Sequence, residues 1–469
     1  MKTVLLLVLA LTILVPPAAV SAETLNVLDF SAVESRFAAN PRNVKDIGDP
    51  FVLAEDDGYY MFATGGPIGF NVWYSEDLIS FEKQKALKKV DWASGDYWAP
   101  EIFHVGDRYV MFFTARMREN GSLRTGIAFS SAPEGPYEDP LGKPLMDFGY
   151  ATIDATLTWN DEGHPFLIYV RDCSENIVSG HGESHIYGIP LAEDLLSVEG
   201  EPVLLLKPEG KWETQSGDTL WNEGPAVIHK NGKYYLFYSV NGYWMKEYSV
   251  SAASADAPLG AYTKQENNPL LYPVETGETV TVSGPGHNAF FTVGDELFTS
   301  YHTHTYPQAP SGNRQLCVDR AGFHADGTAF INGPTLASQL RPLADIGCIN
   351  RMPAASVEGD PAGLLTDGDY CIRESSKPWV WCGREILCRW NEPAAADLLM
   401  IYPAEGKTIS GKITVNDRFE TAFTLEENEK PGSAVILPFD PVPVENLKIE
   451  FAEETEIGEI LLIGAANAG

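Results

Sequence analysis

Apolar residues in this chain come in short bursts broken by glycine, asparagine or aspartate, and the bursts come in pairs. The clearest pair lies between Trp221 and Val240. A carboxylic acid, Glu223, is followed by Gly224 and Pro225 and then by the apolar run Ala226-Val227-Ile228. Lys230-Asn231-Gly232-Lys233 supplies a tight turn, because Asn-Gly accepts the positive φ that a two-residue hairpin requires. Tyr234 to Val240, rich in aromatic residues, reads as the returning strand. The pattern predicts a β-hairpin with an acid at its entry.

Four other stretches repeat it. Asp49-Pro-Phe-Val-Leu runs through Asp57-Gly58 into Tyr59-Tyr-Met-Phe-Ala-Thr. Glu101-Ile-Phe-His-Val runs through Gly106-Asp107 into Tyr109-Val-Met-Phe-Phe-Thr. Asp154-Ala-Thr-Leu-Thr-Trp leads to Phe166-Leu-Ile-Tyr-Val, and His287-Asn-Ala-Phe-Phe leads to Leu297-Phe-Thr-Ser-Tyr. The lead residues stand 52, 53, 69 and 64 positions apart, and every one is ionisable. A repeat of this length built from short strands is the signature of a β-propeller. Third-strand patterns follow several hairpins, as in Val72-Trp73-Tyr74-Ser75 and Ile127-Ala-Phe-Ser-Ser131. The expectation is an all-β chain: five four-stranded blades over residues 41–346. Equivalent positions in a propeller share a depth on its axis, so Asp49, Glu101, Asp154, Glu223 and His287 are expected to converge at one end of the channel. The plainer alternative is that each only caps a strand end. Four acids in one ring would be costly to desolvate without a function or a counter-ion, and their mutual repulsion would raise a carboxyl pKa toward a general acid's range.

The two ends of the chain have a different texture. Met1-Lys2 precedes an apolar run from Val4 to Val15, then Pro16-Pro17 and Val20-Ser21-Ala22. Residues 1–22 read as a secretory signal peptide cut before Glu23, with an uncleaved anchor as the alternative. The run is short for a spanning helix, so no membrane insertion is expected once it is removed. Residues 23–40 read as a lead-in. Beyond a break near 341–354, residues 355–469 show short strands between polar turns, including Trp381, Leu387-Cys-Arg-Trp390 and Leu447-Lys-Ile-Glu-Phe451. These predict a smaller β-sandwich of jelly-roll type. Its Leu364-Leu-Thr-Asp-Gly-Asp segment resembles galactose-binding-like domains, which implies a carbohydrate-binding module; a buttress for the propeller is the alternative.

Charge narrows the partners. Lys and Arg number 33 against 65 Asp and Glu, a formal net charge of −32. Such a surface repels nucleic acid and fits a neutral substrate, although salt adaptation or solubility would give the same balance. Of six cysteines, Cys348, Cys371, Cys382 and Cys388 crowd together, and one or two disulfides among them are expected of a secreted chain.

The five lead segments, taken in order, resemble glycoside hydrolase family 43. The matching residues are Gly48-Asp49-Pro50-Phe51, Trp98-Ala99-Pro100-Glu101, Ile153-Asp154-Ala155, Glu223-Gly224-Pro225 and Ser283-Gly284-Pro285-Gly286-His287. The resemblance implies roles. Asp49 would be the general base that activates water and Glu223 the general acid. Asp154 would be the third carboxylate that tunes and orients that acid. An inverting glycosidase needs its two acids roughly 6.5–9.5 Å apart, with room for a water between. His287 would help hold a central Ca²⁺ through its water shell, or would be a channel histidine without metal. Trp98 would line the substrate pocket, or belong to the blade core. Arg314 would reach the pocket, or make a blade-edge salt bridge. No catalytic step falls to Glu101, and His302 and His304 read as channel or blade surface. The implied function is a secreted inverting exo-glycosidase, an α-L-arabinofuranosidase or β-xylosidase acting on plant polysaccharide. An endo-arabinanase and a non-catalytic carbohydrate-binding propeller are the alternatives.

Overall fold

The computed structural model describes residues 23–66, 69–86, 90–371, 380–403, 408–425 and 430–466. The predicted signal peptide lies outside the described residues. The chain is all-β, a five-bladed propeller followed by a strand-rich C-terminal domain. Blade 1 is a meander of Phe51–Glu55, Gly58–Gly66, Gly69–Ser75 and Glu82–Lys85. Blades 3, 4 and 5 begin at Thr152–Trp159, Thr219–Lys230 and Gly286–Val293, and each adds strands outward in sequence order. Every innermost strand pairs antiparallel with the next through a short turn, as the hairpin pattern predicts.

Blade 2 departs from four strands. It has three, Ala93–Val105, Arg108–Met117 and Leu123–Ser130. Its outer strand shrinks to one bridge, Phe129 with Glu138. The reason is local: Pro136 and Pro140 stand two positions on either side of Glu138, and proline has no N–H to extend the ladder.

Apolar side chains fill the spaces between blades. Val110, Phe112, Leu157, Leu167, Tyr169 and Ile189 pack between blades 2 and 3. Phe237, Val250, Tyr301 and Cys317 pack between blades 4 and 5. The middle strands are therefore covered on both faces, which is why they read as continuous apolar runs and not as alternating ones.

The circle is closed by the segment that leads into blade 1. Arg42 N–H donates to Leu316 O, Leu316 N–H to Val44 O, and Ile47 N–H to Arg314 O. Residues 42–47 thus run antiparallel along the third strand of blade 5, Arg314–Phe323, with Lys45 opposite Gln315. One residue later the chain reaches Gly48 and Asp49, so closure also sets the first edge of the axial site.

The C-terminal sheet is built mainly on two long, bent runs, Trp381–Pro403 and Val435–Ala465, which pair with each other more than once: Leu398 stands opposite both Pro438 and Ile463. Its core holds Trp381, Trp390, Ile413, Ile449 and Phe451. The lead-in belongs physically to this sheet. Glu23–Thr24 pairs with Phe419–Leu425, and Val27 bridges Phe439. No disulfide joins Cys348 or Cys388 to another cysteine. Cys348 lies on a sheet strand opposite Ala465, and Cys388 is sealed in the apolar core, so the bridging expected in this region does not involve them.

Candidate active site

A backbone device recurs where each innermost strand meets the axis. Asp49 (φ 56°), Ala99 (44°), Asp154 (51°), Gly224 (54°) and His287 (51°) all sit in the left-handed region. In blades 2 to 5 the pairing register shifts at this residue, forming a bulge. A bulge re-aims the side chain at the end of a strand. These five residues are the structurally equivalent set, and they correct the ring expected from sequence. Glu101 lies two positions beyond Ala99. It points into the channel one layer deeper, at the level of Phe51, Thr156, Ala226 and Ala289. Burial, and then the charge of Asp154, push its carboxyl up to about 8, against the hydrogen bond from Thr156. Glu223 precedes its left-handed Gly224 by one position and reaches the cavity from the neighbouring place.

Each left-handed residue needs an acceptor for its buried N–H, and the preceding blade supplies it. His302 Nδ1 accepts from Asp49 (3.3 Å), Thr64 Oγ1 from Ala99 (3.0 Å), Thr114 Oγ1 from Asp154 (3.1 Å) and Ser239 Oγ from His287 (2.7 Å). In blades 2, 4 and 5 these acceptors stand on the second strand, opposite the residue just before the left-handed one of their own hairpin: Thr114 faces Trp98, Ser239 faces Glu223 and His302 faces Gly286. In blade 3 that place falls to Val170, which has nothing to offer. Gly224 N–H turns instead to the Asp154 carboxylate, Oδ2, at 3.1 Å. This bond fixes Asp154 beside Glu223. Gly224 has a second reason to be glycine: a Cβ there would lie 3.1 Å from the His287 ring.

The environments of the acids differ sharply. Arg314 Nη1 donates to Asp49 Oδ1 at 2.9 Å, His287 Nδ1 lies 3.3 Å from the same oxygen, and Thr64 Oγ1 donates to Oδ2. Burial works against an ionised Asp49, but His287, Arg314 and the Thr64 hydrogen bond outweigh it and hold the carboxyl well below its ordinary range. The Arg314 guanidinium lies flat over Gly48, where a Cβ would sit 2.0 Å from Nη2. Tyr243 covers it, 4.6 Å from ring centre to Cζ. Among the described residues Glu223 has no such cation. Burial first, then the charges of Asp154 and Asp49, raise its pKa well above the usual value; the Tyr248 hydroxyl, donating to Oε1 at 2.8 Å, opposes them. Asp154 is intermediate, raised to about 6 by burial and held back by His287 and the Gly224 N–H.

All six residues singled out from sequence, Asp49, Trp98, Asp154, Glu223, His287 and Arg314, line one cavity of about 430 Å³. Trp98 faces the cavity and also packs on the core with Leu123 and Ile153. Trp221, Tyr243 and Trp244 line the same cavity, with Trp244 edge-on to both of the other rings. They were not anticipated, nor were Thr64 and Tyr248, and His302 reads from sequence only as channel or blade surface. Thr64 and His302 did leave a signal, because they stand near the ends of second strands, as Thr114 and Ser239 do. Tyr248 left none. Burial and Arg314 keep His302 neutral, and its ring stacks parallel on Tyr248. His304, also neutral, donates from Nε2 to Tyr243 O and accepts at Nδ1 from Ser283.

The residues present do not fit a metal ion bound directly. Among the described residues no cluster of three or more His, Cys, Asp or Glu side chains is placed to hold one. Ca²⁺ prefers oxygen, and the carboxylate beside the His287 ring is that of Asp49, already engaged by Arg314 and Thr64. The unpartnered Nε2 of His302 carries the ring proton, because Nδ1 accepts the Asp49 N–H.

Fold and cavity together define the class: a five-bladed propeller whose axial pocket sets ionised and protonated carboxyl groups among indole and phenol rings, suited to cleaving glycosidic bonds. A family model described as glycosyl hydrolases family 43 matches residues 38–329, and the chain belongs to that family. A β-D-galactofuranosidase of Aspergillus niger is 27% identical over 273 residues, covering 55% of this chain and 72% of the relative. An extracellular exo-α-(1→5)-L-arabinofuranosidase of Streptomyces chartreusis is 26% identical, covering 56% and 82%. The crystal structure of a thermostable family-43 glycoside hydrolase is 40% identical, with a TM-score of 0.61, covering 65% of this chain and 98% of that one.

Proposed function

We propose that the chain is a secreted inverting glycosidase that removes terminal arabinofuranosyl or xylosyl units from plant cell-wall polysaccharides and their oligosaccharides. The observation that carries this reading is that one cavity holds two carboxyl groups in opposed surroundings, Asp49 against Arg314 and His287, and Glu223 buried against the Tyr248 hydroxyl and beside Asp154. Asp49, held ionised, takes a proton from water as the water oxygen bonds to the anomeric carbon. The glycosidic C–O bond breaks, its electron pair goes to the leaving oxygen, and that oxygen takes the proton of Glu223. Asp154, pinned by Gly224 N–H, keeps a negative charge beside Glu223 and so favours its protonated form. The products leave Asp49 protonated and Glu223 ionised, and exchange with solvent resets both.

Secretion is supported by the pattern of residues 1–22 and by the extracellular relative. The sugar is chosen by the cavity wall. The galactofuranosidase relative makes a hexofuranose the second reading, since that ring differs from arabinofuranose by an exocyclic carbon. The deciding experiment is hydrolysis of aryl α-L-arabinofuranoside, β-D-xyloside and β-D-galactofuranoside, with Glu223→Gln as control. Release from one of the first two, lost in the variant, is the expected result. Release from the galactofuranoside alone would move the assignment to the second reading. Silence on all three, with activity on polymeric arabinan, would make the enzyme endo-acting, and silence there too would leave a binding protein.

A further inference from the structure

A groove of about 510 Å³ lies on blade 4, lined in part by Trp212, Gln215, Glu247, Asn268, Pro269 and Tyr272. We infer that it is a second carbohydrate site, which holds a stretch of neutral polysaccharide while the axial cavity works on another. The inference rests on the glycosidase reading.

Its chemistry selects the ligand. Among the described residues no lysine or arginine lines the groove, and the chain carries a formal charge of −32, so an anion is disfavoured. An indole, a phenol and proline rings offer C–H-rich sugar faces a surface to pack on, while Gln215 and Glu247 offer a carboxamide and a carboxylate for hydroxyls. Among the described residues no hydrogen bond engages the Gln215 side chain, and Glu247's nearest charged partner, Lys246 Nζ, is 3.7 Å away.

The groove is also rigid. Trp212 Nε1 donates to Ser251 Oγ at 3.0 Å. Asn268 is locked at both ends of its carboxamide, to Ala252 N and to Ala252 O, each at 2.8 Å. The loop carrying Trp212 is clamped by the buried Glu213, which accepts from Tyr238 (2.8 Å) and Lys264 (2.6 Å). A rigid wall loses little freedom when a ligand settles on it.

Its place in the fold ties it to the catalytic cavity. The Asn241 carboxamide accepts from Gln215 N–H (3.0 Å) and donates to Trp212 O (2.8 Å) and Glu247 O (3.0 Å). Residues 241–248 therefore carry the groove on one side and Tyr243, Trp244 and Tyr248 of the active site on the other. A polymer longer than the cavity has the groove directly behind that segment.

The test uses the full chain with Tyr272→Ala and, separately, Gln215→Ala, an exposed position that carries little folding risk. The expected result is kcat/KM on an aryl glycoside unchanged within about twofold, and kcat/KM on soluble arabinoxylan lowered about five- to tenfold by Tyr272→Ala, the scale of one lost aromatic contact, and about three- to tenfold by Gln215→Ala, the scale of one lost hydrogen bond. Equal losses on both substrates, or none on either, would overturn the site. An independent arm needs no turnover: Glu223→Gln protein is run through gels containing arabinoxylan. Retardation that weakens when Tyr272→Ala is added supports the groove. Retardation that is absent, or indifferent to Tyr272, overturns it, whatever becomes of the assigned activity.

Discussion

Asp49 and Glu223 begin with similar intrinsic acidities and are driven apart by their neighbours. A guanidinium and an imidazole face Asp49, whereas burial and two other carboxylates surround Glu223. Two substitutions with opposite signs follow. Turnover requires Glu223 protonated, so the alkaline limb of kcat/KM follows its raised pKa. Asp154→Asn removes a charge that raises that pKa and should move the limb to lower pH. Tyr248→Phe removes a hydroxyl that lowers it and should move the limb to higher pH. A pH–rate profile of each variant checks this, and two shifts in the same direction would break the assignment of Glu223 as the acid. Glu223→Gln itself should cost about 10²–10⁴ on natural glycosides while sugar binding, measured by calorimetry, persists. At this scale the sequence was readable where the acid is itself the left-handed residue, as at Asp49 and Asp154. It misled at Glu101, because the charge that marks this repeat stands two residues beyond Ala99, the position equivalent in space.

At the scale of elements, the site is held by hydrogen bonds between blades. Thr114→Val keeps the shape and removes the acceptor of the buried Asp154 N–H, which should cost about 1–3 kcal/mol in chemical unfolding. Thr64→Val should cost a similar amount through Ala99 N–H. It also removes a donor to Asp49, so it alone should move the acid limb of kcat/KM upward in pH. If both variants changed only stability, Thr64 would be a cap and nothing more. The hairpins were legible because turn chemistry and apolar runs are local. The bridging side chains were legible only as a recurring Thr or Ser at the end of second strands, and the exception at Val170 explains why Asp154 has a structural bond as well as a proposed chemical role.

At the scale of the whole molecule, the propeller and the C-terminal sheet meet through charge as well as packing. His324 of blade 5 sits between Asp367 (3.0 Å) and Asp369 (3.3 Å), with the buried Glu459 close to both acids. Burial opposes a charged His324, but the two aspartates win and raise it to about 9 from 6.5. A raised pKa stabilises the fold fully below about 6.5, and that contribution is lost as pH climbs through about 9. Melting temperature should therefore fall across this interval, and His324→Gln should flatten the fall; equal slopes in both proteins would mean the contact is not a stabilising one. Exhaustive chelation should leave the melting temperature unchanged, because the axial donors do not fit a directly held ion, and a drop of several degrees would show that a hydrated ion is present.

Local chemistry was enough for the sequence alone to determine the strands, the fivefold repeat and the all-β class, and it set four acids at hairpin entries, of which Asp49, Asp154 and Glu223 line the axial cavity. Turns, apolar runs and the order of motifs do not depend on distant residues. Tertiary structure decided the rest. Only the closed circle brings Arg314 across Gly48 to Asp49, sends Glu101 a layer deeper and lays Tyr248 against Glu223. Ionisation is set by burial and by charges that approach through space, and residues as far apart in the chain as Asp49 and Arg314 have no local pattern that records their meeting.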